Sequence, residues 1–165
     1  MNQHRRVLTL HGLQIGLLAL VATETAHAQF TPIDFRVVHL PRTPAAAEHY
    51  VAIRTQEAWA ALRSGYSKLP NAPSIPKIDF KQFILLIANT GVKPSSGYKI
   101  IFDSVDVAPA PSNKMATTVH VIEMTPGNCP ALAHLADSAS YALIPQTTNE
   151  IRFVITKADS NCAGP

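Results

Sequence analysis

Strong charge is scarce in this chain, and with it go several classes of function. Only 15% of the residues are Asp, Glu, Lys or Arg, and past Arg5 and Arg6 the basic residues are scattered, so no basic stripe for nucleic acid or an anionic membrane is present. Metal chemistry finds as little, because neither H-x-x-x-H nor C-x-x-C occurs and the chain holds only two cysteines. A Walker loop and a dinucleotide fingerprint are both missing, since the one glycine-containing loop, Gly91 to Tyr98, lacks the Gly-Lys-Ser/Thr ending and opens a strand instead of a helix. No cofactor and no metal is expected.

Long uninterrupted apolar runs are lacking as well. The run from Val7 to Ala22 is broken by Thr9, His11, Gly12 and Gln14, which is too much polarity for a stable membrane span. It follows a basic start and ends in Ala26-His27-Ala28, the three parts of a secretory signal. Residues 1–28 are therefore expected to be a signal peptide, cut between Ala28 and Gln29. No Cys stands at the new first position to be acylated, so a soluble exported product, periplasmic or secreted, is expected. Removing Arg5, Arg6 and Glu24 takes the formal net charge from +3 to +2. Residues 29–165 then form one exported domain, long enough to bury a real core. An even pair of cysteines in an oxidising exterior points to a disulfide, Cys129 to Cys162, stabilising the fold by about 3–4 kcal/mol on the chain-entropy model.

What is present reads mainly as strand. Residues 29–48 carry Pro32, Pro41 and Pro44 around an apolar run and read as an extended arm. A short strand over His49 to Arg54 is followed by Thr55, a helix N-cap, with Glu57 in the first turn and Gly65 as the stop, which predicts a helix over Gln56 to Ser64. Ala58, Trp59 and Leu62 share a side of it, with Trp59 as the anchor against a sheet. Residues 69–77 hold three prolines and read as a loop.

Phe83 to Ala88 is continuously apolar, the pattern of a central strand covered on both faces. Tyr98 to Val107 alternates, with a shift of register that predicts a bulge near Ser104. Met115 to Met124 returns with Thr117, Val119 and Val121 on one face, completing a hairpin. Two further strands, Ser140 to Ile144 and Glu150 to Ile155, flank Pro145 to Asn149. The total predicts an α+β, mainly β domain: an antiparallel sheet of five or six strands with one N-terminal helix packed on it.

The segment Gly91-Val92-Lys93-Pro94-Ser95-Ser96-Gly97-Tyr98 is the most informative. Taken with Ile53-Arg54-Thr55-Gln56-Glu57-Ala58-Trp59 and Ile78-Asp79-Phe80 upstream, and with Ile100 to Val107 and Thr125-Pro126-Gly127-Asn128-Cys129 downstream, it resembles the PrcB family of protease-complex subunits. The likeness spans roughly residues 50–155. Gly91, Lys93, Pro94, Gly97 and Tyr98 match that family's loop, while Ser95 and Ser96 stand where it usually has Thr and Gly. With Ser96 in place of glycine, the left-handed position of the turn falls to Gly97. The resemblance implies a non-catalytic module that binds and stabilises a secreted or periplasmic protease, with this loop as the protein-binding surface. On the residues alone, the favoured reading is Gly97 as a turn former and Tyr98 as a core residue capping the sheet.

Catalysis finds little footing. Ser96-Gly97-Tyr98-Lys99 fits S-x-x-K, but Lys99 lies in a predicted strand, where positions three apart point to opposite faces. Four histidines remain after cleavage, His39, His49, His120 and His134; His120 is expected on the solvent face of its strand, and His134 lies near Asp137 and Ser138 without a nucleophile elbow. No catalytic residue is assigned. The competing readings are a small exported serine hydrolase and a cell-envelope sheet domain with no protease partner.

Overall fold

The computed structural model describes residues 30–40, 47–64, 77–110 and 114–162. The signal segment with its Ala28–Gln29 junction, the helix stop at Gly65 and most of the proline loop lie outside the described residues.

The described residues form eight strands and one helix, and the strands divide between two sheets. In chain order the elements are β1 (Thr31–Pro32), β2 (Arg36–Val37), β3 (His49–Ile53), α1 (Gln56–Arg63), β4 (Phe83–Asn89), β5 (Lys99–Pro109), β6 (Met115–Thr125), β7 (Ala139–Pro145) and β8 (Glu150–Asp159). One sheet has the order β1-β5-β6-β8 and the other β2-β7-β4-β3. The expected single antiparallel sheet of five or six strands is thereby corrected to two sheets of four. One pair is parallel, β6 with β8, so the first sheet is mixed. The physical reason is the path of the chain: β7 leaves β6 for the opposite sheet, and β8 returns beside β6 in the same direction, the crossover a parallel pair requires. Short strands of similar composition do not reveal which sheet each one joins.

The sheets pack face to face through the residues that point inward. Ile84, Leu86, Ala88, Ala142 and Ile144 of one sheet meet Ile100, Phe102, Val105, Val119 and Val121 of the other. The other face of the β2-β7-β4-β3 sheet is covered too. There Trp59, fully buried on α1, joins Ile53, Leu85, Ile87, Tyr141 and Leu143. Both faces of β4 are therefore covered, which accounts for its unbroken apolar run. Its partners on either side are β3 and β7.

The helix begins where its chemistry requires. Thr55 is extended, and its Oγ1 accepts from Ala58 N at 3.1 Å. Ala58 itself is exposed, and Arg63 takes the inward position instead, its guanidinium 5.3 Å from the centre of the Trp59 ring. The bulge near Ser104 is present as a register shift between Phe102 and Ser104. The arm contributes β1 to one sheet and β2 to the other, with Ile33 and Phe35 between them packed on the shared core. Among the described residues no helix is long and apolar enough to cross a membrane.

Candidate functional site

The loop from Gly91 to Tyr98 joins β4 to β5, and its backbone is zipped to the loop that joins β6 to β7. Thr90 N donates to Ser138 O at 2.9 Å, Lys93 N to Ala136 O at 2.7 Å, Ala136 N to Lys93 O at 3.0 Å and Ser96 N to Leu132 O at 2.9 Å. Leu132 N returns a bond to Ser96 Oγ at 2.8 Å. The second loop is pinned in turn by the Cys129–Cys162 disulfide, with a Cα–Cα distance of 5.2 Å. Two irregular segments thus become one supported surface.

Two glycines make this geometry possible. Gly91 has φ +66°, and a Cβ there would lie 2.5 Å from Glu48 N, so no side chain fits. Gly97 has φ +92° and approaches Pro126, whose Cβ would be 3.0 Å from an added one. Gly97 therefore carries the left-handed conformation that the sequence assigns to it.

Lys93 turns inward. Its Nζ lies 2.7 Å from Glu123 Oε1 and 3.8 Å from Glu48 Oε2, and it sits 5.5 Å from the centre of the Tyr98 ring. Glu123 lies on the core-facing side of β6 and is almost wholly buried, with Lys157 Nζ 3.7 Å from its other oxygen. A buried carboxylate without a cation would suffer a large desolvation penalty, so Lys93 is its counter-ion and Tyr98 the wall beside it. Tyr50 closes the cluster, its hydroxyl donating to Glu48 Oε1 at 2.9 Å. Burial, with the Glu48 carboxylate beside it, raises that phenol well above its ordinary value, so it stays protonated.

The five residues singled out in the loop are thus together, but they do different work. Gly91 and Gly97 shape the turn, Lys93 and Tyr98 seal the end of the sandwich, and Pro94 is exposed. The outward surface comes from residues that sequence reasoning passed over: Val92 at 47%, Leu132 at 71% and Leu135 at 76% exposure. A signal for Glu123 was in the sequence, as the only charged residue in the inward series Thr117, Val119, Val121, Glu123. Leu132 and Leu135 had none, because a leucine in a loop reads the same whether it points in or out.

The histidines are dispersed. His120 Nε2 lies 2.9 Å from Asp106 Oδ2 on the outer face of its sheet, partly exposed as expected. Ser104, its neighbour across the strands, directs its hydroxyl to Asp103 Oδ2 at 3.3 Å. His39 and Ser140 line one depression of about 280 Å³, with no hydrogen bond joining them among the described residues. His134 is exposed. Among the described residues no three His, Cys, Asp or Glu side chains converge as a metal site would need. No family model matches the chain, and neither a curated protein nor a solved structure matches it.

Proposed function

We propose that this chain is a non-catalytic module that works outside the cytoplasm by binding another exported protein, a secreted or periplasmic protease being the partner class that the loop's resemblance to PrcB implies. The observation that carries the reading is the pair of exposed leucines, Leu132 and Leu135, on a loop held by backbone bonds to Gly91–Tyr98 and by a disulfide. Large apolar side chains cost free energy when left in water, and a rigid support lowers the entropic cost of docking them in a partner's pocket. The disulfide is compatible with an oxidising exterior. Lys93 and Tyr98 support this surface from beneath, and contact with the partner falls to Val92, Pro94, Leu132 and Leu135.

The test compares wild type with the Leu132→Asp/Leu135→Asp variant in capture from the native exterior fraction. Recovery of one protease by wild type, at least tenfold less by the variant, with equal thermal stability of the two baits, supports the reading. Equal recovery by both baits overturns it. The hydrolase alternative is read in the same preparation: labelling of this chain by a serine-reactive probe, abolished by His120→Ala or His134→Ala, would replace the binding role by a catalytic one.

A further inference from the structure

Strand β8 forms one edge of the β1-β5-β6-β8 sheet, paired with β6 in parallel over all ten of its residues. Among the described residues no strand pairs with its other side. An open edge carries a row of free backbone donors and acceptors, and edges are commonly blunted by proline, by a bulge or by a charge in mid-strand. β8 uses none of these at its centre. It reads Glu150-Ile-Arg-Phe-Val-Ile-Thr-Lys-Ala-Asp159, has no register shift against β6, and exposes Val154 at 45% and Ile155 at 36%. Its terminal charges are already engaged within the chain: Arg152 forks onto Glu150 at 3.0 and 2.8 Å, and Asp159 accepts from Thr125 Oγ1 at 2.5 Å.

We propose that β8 is a self-association edge, pairing antiparallel with β8 of a second copy to join two four-stranded sheets into one of eight. Symmetry restricts the register. The two-fold axis of such a pair stands perpendicular to the sheet, so each residue must oppose one that faces the same side, either the core or the outer surface. In β8 the core side holds Ile151 and Phe153, which pack on the inner cluster, and continues through Ile155 opposite Val121. The outer side holds Glu150, Arg152 and Val154, the last opposite His120.

The register that would set Glu150 against Asp159 and Arg152 against Lys157 pairs outward with inward positions, and symmetry forbids it. Centring the axis on Val154 places that residue against itself and Phe153 against Ile155 of the second copy, twice. Arg152 then meets Thr156, Ile151 meets Lys157 and Glu150 meets Ala158, so no like charges oppose. Centring on Ile155 would instead set Phe153 against Lys157 and Ile151 against Asp159, two apolar residues against charges where the Val154 register has one, and would lose the Phe153–Ile155 pair. The self-complementary Phe153-Val154-Ile155 triplet therefore selects both a second copy and the Val154-centred register.

This surface is distinct from the leucine loop, and its test does not depend on that reading. Light scattering on the purified protein is expected to give twice the monomer mass, halved by Val154→Lys, whose exposed site leaves the circular dichroism unchanged. Under mild oxidation Val154→Cys is expected to form a covalent dimer at least tenfold faster than Ile101→Cys, which is exposed on the same sheet but two strands away from β8. A monomeric wild type, a dimer that survives Val154→Lys, or equal cross-linking of the two cysteine variants would overturn the proposal.

Discussion

The two sheets of this sandwich are built from similar residues and are used differently. In the β2-β7-β4-β3 sheet both faces are covered, and six of the seven residues of β4 are buried. In the β1-β5-β6-β8 sheet the described residues cover only the inner face, and β5 alternates between exposed and buried until its bulge. The comparison separates two roles for apolar side chains. Leu85 and Ile87 hold the helix, whereas Ile101 and Val154 face water. The covered sheet concentrates stability, and the open one keeps a face and an edge available.

The largest way to test that contrast is to remove the anchor on the covered side. Trp59→Ala is expected to cost about 3–5 kcal/mol, since it empties the volume between α1 and the sheet. Ile101→Ala on the open face should stay within about 0.5 kcal/mol, as surface substitutions do. Trp59→Phe sharpens the point, because the indole N–H has no acceptor among the described residues and its loss offsets part of the lost volume. Urea melts of the three variants check this. Equal midpoints for Trp59→Ala and Ile101→Ala would show that the helix face contributes nothing special.

A second contrast lies within the open sheet, between its apolar centre and its polar end. Among the described residues Lys93→Ala leaves buried Glu123 with only the more distant Lys157, and is expected to destabilise by about 3 kcal/mol. If the cost is that of an orphaned charge, Glu123→Gln in the same chain should recover most of it, and the double-mutant cycle measures the coupling. Additive single losses would mean that the two groups act independently. The cycle also isolates support from recognition: Lys93→Ala is expected to weaken partner capture only in proportion to the loop order it loses.

What could be read from the residues, and what could not, divides along the same line. Patterns that arise within one segment were legible: the N-cap at Thr55, the doubly covered strand at Phe83, the bulge at Ser104, the Cys129–Cys162 pair. Decisions made between distant segments were not. Nothing local in Glu150 to Asp159 says that it lies parallel to β6 instead of continuing a hairpin from β7, because the same alternation serves either sheet. The loop shows the same divide. Gly91 and Gly97 were visible as turn formers, since backbone demands are local, but the inward turn of Lys93 depends on a carboxylate thirty residues further on, and the prominence of Leu132 on a neighbouring loop.

The smallest expected effect concerns how α1 is started on the covered side. Thr55 Oγ1 satisfies the free N–H of Ala58, and Glu57 in the first turn favours the positive end of the helix dipole. Thr55→Ala removes the acceptor and is expected to cost about 1 kcal/mol, while Thr55→Ser or Thr55→Asp should hold the stability within a few tenths. Because Trp59 anchors the helix from its middle, the loss should fray the first turn and leave the anchor seated. Hydrogen exchange would then speed up at Ala58 and the residues beside it, with Leu85 and Ile87 on the underlying strand unchanged. Faster exchange throughout β4 would mean that helix and sheet open together, and that the covered face is one cooperative unit instead of a helix docked on a sheet that is already stable.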